Sequence, residues 1–372
     1  MSHLKLAGLT RQLSPPCGLD LSSNDYLGLA EHPAIKKRMA DAILRNGCGA
    51  TGSRLLRGER ESFSKIERRF ARFKSAESAL FFGSGYAANI GALTSFLDPG
   101  DVVFSDRLNH ASLIDGIRLS RAERRVFRHA DIEHLERLIK KESSPGQKYL
   151  VTESLFSMDG DFAPLREYAD LCERTGTALV VDESHAVGIY GAHGSGQIEA
   201  CSVESSVFLS INAAGKGLGV TGAFVAGPAW AIDYLVQRAR TFVFSTAPPP
   251  AVADAIDEAL NVIDTEPSRR DMLREKSLSL RTTLTDLGVV VPAGTSQILP
   301  IVIGDNESAV AVAAAIQDAG FDVRAIRPPT VPEGTARLRV SINIKIDDSA
   351  LARFAEVLAK AVSRHGAALA AK

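Results

Sequence analysis

Several features that define particular classes of protein are scarce in this sequence. Only 4 cysteines occur among 372 residues, and none form a C-x-x-C pair or a disulfide framework. We therefore expect a reducing compartment, where the cysteines are buried small apolar residues. No apolar run is long enough to span a membrane, and the residues before Pro15 lack the apolar core of a signal peptide. These absences predict a cytoplasmic protein with no membrane partner.

An excess of charge of one sign is absent as well. The formal net charge is -1 and 23% of the residues are charged, so no basic surface for nucleic acid or anionic lipid is predicted. The histidines and acids do not reproduce a zinc signature such as H-E-x-x-H, and no metal site is expected. Hydrophobic residues make up 45% of the chain, which is typical of a globular protein that binds small neutral or acidic ligands.

What the sequence does contain is a regular alternation of apolar strand-like runs with segments of helical spacing. This alternation predicts an α/β fold with a mostly parallel, doubly wound sheet, in which ligands bind beyond the carboxyl ends of the strands. The chain is longer than a single hydrophobic core usually supports, so more than one domain is expected. We expect an N-terminal arm over residues 1–33, a large domain over 34–265 and a smaller C-terminal α+β domain over 266–372.

One lysine, Lys216, lies among glycines between two strand-like runs, residues 207–211 and 223–226. A lysine in a buried position loses its charge more easily and can act as a nucleophile or base toward a carbonyl. The glycines at 215, 217 and 219 would allow backbone or a planar ligand to approach closely. The alternative is a solvated lysine in a structural turn.

Four further reactive side chains follow predicted strands, namely His110, Ser157, Asp182 and His185. With Lys216 they would meet at one edge of a parallel sheet, which favours an active site there. The structural alternatives are histidines with ordinary hydrogen bonds and an Asp182-Glu183 pair that caps a helix.

A glycine-rich turn over residues 83–89 follows the strand at 79–82 and opens a helix. Such a turn points free backbone N–H groups at one spot and suits a phosphate. The same pattern fits a dinucleotide-binding oxidoreductase, but that fold needs an acidic residue about 20 positions later, at the end of a second strand. Asp98 and Asp101 lie in a turn instead.

Near the C-terminus, four arginines (324, 327, 337 and 339) flank a proline-rich turn and suit carboxylate ligands.

Four stretches together resemble the α-oxoamine synthases, which are pyridoxal-5'-phosphate (PLP) enzymes of the type I, aspartate-aminotransferase-like fold. They are SSNDYLGL at 22–29, NHASL at 109–113, TESLFSMDGD at 152–161 and IRPPTVP at 326–332. The resemblance extends over nearly the whole chain. It implies that Lys216 bonds covalently to PLP, Asp182 pairs with the pyridine nitrogen, His110 stacks on the ring and His185 contacts the ring hydroxyl.

The resemblance also implies the remaining contacts. Gly85 and Tyr86 would bind the phosphate, together with Ser245 and Thr246 from the second chain of a homodimer, and Ser157 would contact the cofactor or substrate. The family members that the sequence resembles most join L-alanine to pimeloyl-CoA or a pimeloyl-acyl carrier protein. For such substrates the implied contacts are the amino-acid site, with Arg339 and Asn24, and the acyl site, with Arg327, Thr330 and Arg11. Glycine-using members of the family are the alternative, and a non-catalytic subunit is disfavoured because Lys216 is present.

Two positions depart from the family pattern. The family usually has Thr or Ser three residues before the lysine as a phosphate ligand, whereas this chain has Ala213. The N-terminal arm is also short, with no room before Leu21 for the hairpin that is usual in the family.

Overall fold

The computed structural model describes residues 9–10 and 13–365. These residues form two compact units. The large unit holds residues 29–156 and 162–267. The small unit holds the described residues up to Gly28, Ser157–Asp161 and those from Ser268 onward. The division predicted from the sequence, into an arm and two domains with boundaries after residues 33 and 265, stays a prediction.

The large unit is built on one sheet whose strands are buried apolar runs. Its strands are β2 (Ser78–Phe82), β3 (Val102–Asp106), β4 (Glu123–Phe127), β5 (Lys148–Glu153), β6 (Ala178–Asp182), β7 (Val207–Ala213) and β8 (Ala223–Gly227). The 7-stranded sheet has the order β2-β8-β7-β6-β5-β3-β4. Only β8 runs antiparallel to its neighbours, and all other pairings are parallel. The predicted α/β fold with a mostly parallel sheet is confirmed.

Helices cover both faces of this sheet. They are α1 (Pro33–Asn46), α2 (Glu61–Phe73), α3 (Gly85–Phe96), α4 (Ala111–Ser120), α5 (Ile132–Lys141), α6 (Leu165–Thr175), α7 (Gln197–Cys201), α8 (Ala229–Arg238), α9 (Arg240–Val243) and α10 (Pro250–Thr265). Successive strand residues point to opposite faces, so Val103 packs with α3 and α4 while its neighbour Phe104 packs with α5 and α6. Burial on both faces explains why the strands are continuous apolar runs rather than alternating ones.

The small unit contains a 3-stranded antiparallel sheet and a short parallel pair. Its elements are β1 (Leu19–Asp20), α11 (Ser268–Asp286), β9 (Ile298–Gly304), α12 (Asn306–Asp318), β10 (Phe321–Asp322), β11 (Ala325–Ile326), β12 (Ala336–Ser341) and α13 (Asp348–His365). The N-terminal segment is part of this unit through backbone hydrogen bonds. Ser341 N donates to Leu21 O at 2.8 Å, and Ile344 N donates to Tyr26 O at 3.1 Å.

Two local features differ from what the sequence predicts. The segment over residues 47–58 is rich in glycine, which predicts a loop, but it ends in a π-helical turn at Arg54–Gly58. The cysteines are not uniformly buried, since Cys17 and Cys48 are exposed and only Cys172 is buried; burial raises the pKa of Cys172 to about 12. Within the described residues, no helix is long and apolar enough to cross a membrane.

Candidate active site

Lys216 lies in the tight connection between β7 and β8. Hydrogen bonds close this turn, from Val220 N to Ala214 O at 3.0 Å and from Ala214 N to Gly222 O at 2.9 Å. The lysine itself is half-buried, so the prediction of burial holds only for the strands on either side. Its Nζ lies 3.0 Å from Nε2 of His185. The amine is therefore held at the carboxyl edge of the sheet.

Glycine is required in this turn where the backbone of other segments comes close. A Cβ added at Gly217 would lie 2.4 Å from the carbonyl oxygen of Val187, and one at Gly219 would lie 2.5 Å from Ala30 N. Gly219 also has a φ of +66°, a backbone conformation that residues with a Cβ rarely adopt. By contrast, the nearest atom to a Cβ at Gly215 is Val220 O at 3.8 Å. The glycines at 217 and 219 thus hold the lysine turn against its neighbours.

Asp182 ends β6, the neighbour of β7, and the residue is 5% exposed. Its Oδ1 accepts a hydrogen bond from Ser184 N at 2.8 Å. Its Oδ2 accepts one from Asn89 Nδ2 at 2.7 Å. His185, three residues later, is also 5% exposed and reaches Lys216. Asp182 therefore ends one strand and Lys216 follows the parallel neighbour of that strand, as the sheet-edge argument predicts.

His110 follows β3 and forms the N-cap of α4. Its Nδ1 lies 2.7 Å from Ser112 Oγ and accepts from Ser112 N at 3.3 Å. Desolvation by the protein around it lowers the pKa of His110 below its ordinary value, and the charge on Lys216 adds to this effect. The carboxylates of Asp182 and Asp115 oppose it. His110 is nonetheless a solvent-exposed residue, so it is accessible to a ligand.

The predicted phosphate turn forms the start of α3. Ser84 is the N-cap, and its Oγ accepts from Ala87 N at 3.1 Å. A Cβ added at Gly85 would lie 3.3 Å from the Cβ of Ala213 and 3.9 Å from Ser184 Oγ. The helix N-terminus thus meets the ends of β7 and β6, and Ser184 places a hydroxyl close to Gly85, where Ala213 offers none.

Three of the predicted phosphate contacts, Tyr86, Ser245 and Thr246, have exposed side chains. Tyr86 is 49% exposed and donates its hydroxyl to Asp115 Oδ2 at 2.5 Å; this hydrogen bond raises the pKa of Tyr86. Its backbone N–H, in the first turn of α3, is the group suited to a phosphate.

Ser245 and Thr246 are exposed between α9 and α10. The next residue, Ala247, donates its N–H to Gly52 O at 2.9 Å.

In the small unit, Arg339 lies on β12 and is 7% exposed. It donates to Tyr26 Oη at 3.1 Å, to Ser341 Oγ at 2.6 Å and to the carbonyl oxygen of Ser157. These three acceptors are neutral, whereas Arg337 pairs with Asp159 at 2.7 Å. A buried guanidinium is costly without a counter-charge. Arg339 is therefore suited to an anionic ligand.

Asn24 and Ser157 are connected to Arg339 within the same unit. Tyr26 is completely buried and donates its hydroxyl to Asn24 Oδ1 at 3.0 Å. Burial raises the pKa of Tyr26, although the charge of Arg339 opposes this rise. Ser157 is buried, and its carbonyl oxygen accepts from Arg339 Nε. The predicted amino-acid contacts thus form one hydrogen-bonded group.

Arg327 and Thr330 line a cavity of about 600 Å³ in the small unit, next to α12 and β11. Its apolar wall includes Leu13, Val310 and Ile326. Arg327 donates to Thr10 O at 3.2 Å, and its backbone carbonyl accepts from Thr330 N at 3.1 Å. The predicted acyl contact Arg11 lies outside the described residues.

Sequence reasoning did not single out three residues that the structure places at this site, namely Asn89, Ser112 and Ser184. Asn89 and Ser112 connect Asp182 to His110, and Ser184 faces the start of α3. The only signal for Asn89 is its position at the end of the glycine-rich turn. Nothing in the sequence indicates which buried acid it contacts.

Comparison with known proteins identifies the family of this chain. Residues 17–358 match the family described as aminotransferase class I and II. The 8-amino-7-oxononanoate synthase of Anaeromyxobacter dehalogenans is 48% identical over 345 residues, which cover 91% of this chain and 86% of that protein. The enzyme of the same name from Marinobacter nauticus is 44% identical, with coverage of 94% and 90%.

Solved structures show the same fold. The serine palmitoyltransferase of Sphingomonas wittichii superimposes with a TM-score of 0.90 at 29% identity, covering 94% of this chain and 88% of its own. The 8-amino-7-oxononanoate synthase of Francisella tularensis gives a TM-score of 0.81 at 26% identity, with coverage of 93% and 98%. The predicted aspartate-aminotransferase-like fold is confirmed. The chain therefore belongs to the aminotransferase class I and II family and, within it, to the α-oxoamine synthases that include the 8-amino-7-oxononanoate synthases.

Proposed function

We propose that this chain condenses L-alanine with a pimeloyl thioester and releases carbon dioxide and free thiol, so that the product is 8-amino-7-oxononanoate, an intermediate of biotin biosynthesis. PLP is the cofactor, and the reaction takes place in the cytoplasm. The observation that carries the proposal is the contact of 3.0 Å between Lys216 Nζ and His185 Nε2. His185 lies three residues after Asp182 in the sequence. The contact brings an amine to the sheet edge that also holds a buried carboxylate.

The residues present fit PLP by their chemistry. Lys216 offers an amine, Asp182 a buried carboxylate and His110 an accessible imidazole, while the start of α3 at Gly85, beside Ala213, offers the backbone N–H groups of a helix N-terminus. A carboxylate matches a pyridinium, and a helix N-terminus matches a phosphate. Ser184 and the backbone of Tyr86 complete the phosphate side within this chain, with Ser245 and Thr246 from the second subunit.

PLP, when bound, supplies a sink for the electron pair released from a bond at the substrate Cα. Asp182 would pair with the ring nitrogen and keep it protonated, and His185 and Ser157 would bind polar substituents of the cofactor or substrate. Lys216 is the base that takes the Cα proton of alanine and later the acid that returns it. Arg339, with Asn24 beside it, binds the carboxylate of alanine until that group leaves as carbon dioxide.

The acyl chain is proposed to end at the cavity of the small unit. A pimeloyl group has an apolar middle and a polar far end, which matches a cavity whose lining combines an apolar wall with Arg327 and Thr330. A guanidinium suits a carboxylate or its ester. The carrier of the thioester, coenzyme A or an acyl carrier protein, would contact the protein outside this cavity.

We expect thiol release to be fastest with L-alanine and pimeloyl thioester in a panel of glycine, alanine and serine against acetyl, succinyl, pimeloyl and palmitoyl thioesters. Arg327→Ala should lower kcat/KM for the pimeloyl substrate by about tenfold or more, since a hydrogen bond to a charged group is lost. The heptanoyl thioester, of equal length without the terminal carboxylate, should be affected much less.

The matched control is Arg324→Ala, because Arg324 lines the same cavity but is paired with Asp322 at 2.6 Å. It should leave the preference for pimeloyl over heptanoyl unchanged. A preference for glycine, or for a short or very long acyl group, would contradict the substrate assignment and leave the PLP chemistry in place.

A homodimer with shared sites is also part of the proposal. The segment that carries Ser245 and Thr246 exposes Phe244, and the adjacent turn exposes Leu55 and Leu56, the latter at 84%. These two segments touch through the Ala247 to Gly52 hydrogen bond. Exposed apolar side chains grouped in this way are typical of an interface. A second copy of the chain would cover them and bring the two hydroxyls to its own Lys216.

Mixing two inactive variants tests this arrangement. Lys216→Ala chains combined with Ser245→Ala/Thr246→Ala chains should regain activity, because one site of each heterodimer receives an intact set of residues. Random pairing at equal amounts predicts about a quarter of the wild-type activity. Each variant alone, unfolded and refolded in parallel, serves as the control. Inactivity at every mixing ratio would mean that each chain builds its site alone.

A further inference from the structure

A continuous chain of hydrogen bonds runs from Asp182 to His110. Asn89 Nδ2 donates to Asp182 Oδ2 at 2.7 Å and to Ser112 Oγ at 2.9 Å. Ser112 Oγ in turn lies 2.7 Å from His110 Nδ1. Asn89 and Ser112 are both buried, at 2% and 1% exposure. Two side chains that cannot titrate near neutral pH thus connect the two proposed cofactor contacts.

The direction of each hydrogen bond follows from the donors available. A carboxylate oxygen accepts, so the amide of Asn89 must turn its NH2 group toward Asp182, and its second hydrogen goes to Ser112 Oγ. The hydroxyl hydrogen of Ser112 is then left for His110 Nδ1. The backbone N–H of Ser112 donates to the same nitrogen at 3.3 Å. With two donors at Nδ1, the hydrogen of the neutral ring belongs on Nε2.

The packing of α3 against α4 fixes this chain in place. Asn89 lies on α3, and Ser112 lies in the first turn of α4. A Cβ added at Gly116 of α4 would lie 2.8 Å from Leu93 Cδ1 and 3.3 Å from the backbone oxygen of Asn89. The glycine therefore allows the two helices to approach closely enough for Asn89 to reach Ser112.

A purely structural asparagine is the simpler explanation, and one observation weighs against it. Asn89 Oδ1 is buried and has no hydrogen-bond partner in the described part of the chain. An unpaired buried oxygen destabilises the fold, and an apolar side chain of similar size would avoid that cost. The amide is therefore better explained by what its NH2 group holds than by packing.

We infer that Asn89 and Ser112 are positioning residues for the reaction: they fix the carboxylate of Asp182 and hold His110 as the tautomer that offers Nε2–H to a ligand. This inference rests on the proposed function of Asp182 and His110. Neither Asn89 nor Ser112 touches the reacting atoms in this scheme. Their effect is to keep the Nε2–H donor of His110 and the carboxylate acceptor of Asp182 in fixed positions across α3, α4 and β6.

The same chain opposes protonation of His110. Addition of a proton at Nδ1 would displace the hydrogen bonds from Ser112, and desolvation already lowers the pKa of this histidine. The charged groups that face the ring are Lys216, which also lowers it, and Asp182 and Asp115, which raise it. His110 thus remains neutral at pH values where an ordinary histidine is partly charged.

Nitrogen NMR of the full-length chain without cofactor tests the inference independently of activity. With 15N-imidazole labelling, the 8 histidines give separate patterns, and His110→Gln identifies the signal of interest. We expect the Nε2–H tautomer at His110 in the wild type. Ser112→Ala removes one of the two donors at Nδ1 and should raise the apparent pKa of His110 by about one unit. Asn89→Leu should shift it in the same direction.

Kinetics of the PLP-loaded enzyme provide the second measurement. Asn89→Leu should lower kcat by about ten- to a hundredfold with little change in KM for alanine, since a hydrogen bond to a charged group is lost. Ser112→Ala should lower kcat by about tenfold. If the two residues act through one chain of hydrogen bonds, the double variant should be no slower than Asn89→Leu alone.

Ser95→Ala is the matched control. Ser95 is also a buried serine on α3, but its hydroxyl donates to Gly91 O of its own helix at 2.6 Å. It should change neither the His110 signal nor kcat. An Nδ1–H tautomer in the wild type, or variants that behave like Ser95→Ala in both measurements, would overturn the inference. Ser112→Ala decides the matter if Asn89→Leu does not fold, and the NMR result stands whether or not PLP is the cofactor.

Discussion

The Lys216→Ala variant is expected to lose roughly a thousandfold or more of kcat, because it removes both the covalent attachment of PLP and the group that moves the Cα proton. PLP should still bind through Asp182, His110 and the start of α3. Its absorbance should then lack the band of lysine-bound cofactor, and borohydride should no longer attach PLP to the protein. Added methylamine should restore part of the activity, since a free amine can enter the space and accept the proton.

Two further variants test whether the loss of activity comes from the missing amine, from the missing positive charge or from misfolding. Lys216→Arg keeps the positive charge beside His185 but cannot deprotonate near neutral pH, so it should be as inactive as the alanine variant. Lys37→Ala removes a lysine that is 77% exposed and paired with Asp41, and it should retain full activity. Activity, or borohydride trapping of PLP, that persists in Lys216→Ala would show that another amine performs this role.

The sheet edge was predictable because the rule behind it needs only strand order and strand ends. β6 and β7 are adjacent and parallel, and both read as apolar runs in the sequence. Asp182 ends the first, and Lys216 follows the second in a glycine-rich turn. Since parallel strands present their carboxyl ends at one edge, their neighbouring functional groups could be expected to meet without knowledge of any helix.

The contacts that the sequence did not reveal depend on tertiary packing. Asn89 could face solvent, a strand or another helix, and only the close approach of α3 and α4 at Gly116 directs it to Asp182 and Ser112. The pairing of β1 with β10 joins Leu19 to Phe321. Each of these strands is two residues long, which is too short for any periodicity to appear.

The arginines show an intermediate case. Their position around the proline-rich turn predicted carboxylate binding for the group as a whole. Only the structure separates Arg337, which is paired with Asp159, from Arg339, whose three acceptors are neutral. Sequence can place charged residues near a site, but their internal pairing decides which of them remains available for a ligand.

The second large effect is expected from a buried ion pair next to the proposed active site. Lys74 Nζ lies 2.6 Å from Glu183 Oε2, and the two side chains are 2% and 0% exposed. Glu183 Oε1 accepts from Gln197 N at 2.7 Å and from Ile198 N at 3.1 Å. The carboxylate thus ties the residue after α2 and the start of α7 to the segment that carries Asp182 and His185.

Lys74→Met should lower the free energy of unfolding by about 3–5 kcal/mol, because Glu183 is left as a buried charge without its counter-ion. The double variant Lys74→Met/Glu183→Gln should recover most of this loss, since the glutamine keeps an oxygen for the two backbone donors and no charge remains buried. Urea unfolding at one fixed protein concentration measures the difference. Lys37→Met, at an exposed ion pair, should leave the midpoint unchanged.

The recovery also separates stability from catalysis. Glu183 lies between Asp182 and His185 in sequence but points to Lys74, so its charge has no proposed part in the reaction. If the pair acts only by holding this segment, activity should return in Lys74→Met/Glu183→Gln together with stability. A double variant that is as unstable as the sum of its single variants would show that the ionic contact itself, and not the removal of an unpaired charge, stabilises the fold. A stable but inactive double variant would instead place the charge of Glu183 among the groups that set the chemistry of Asp182.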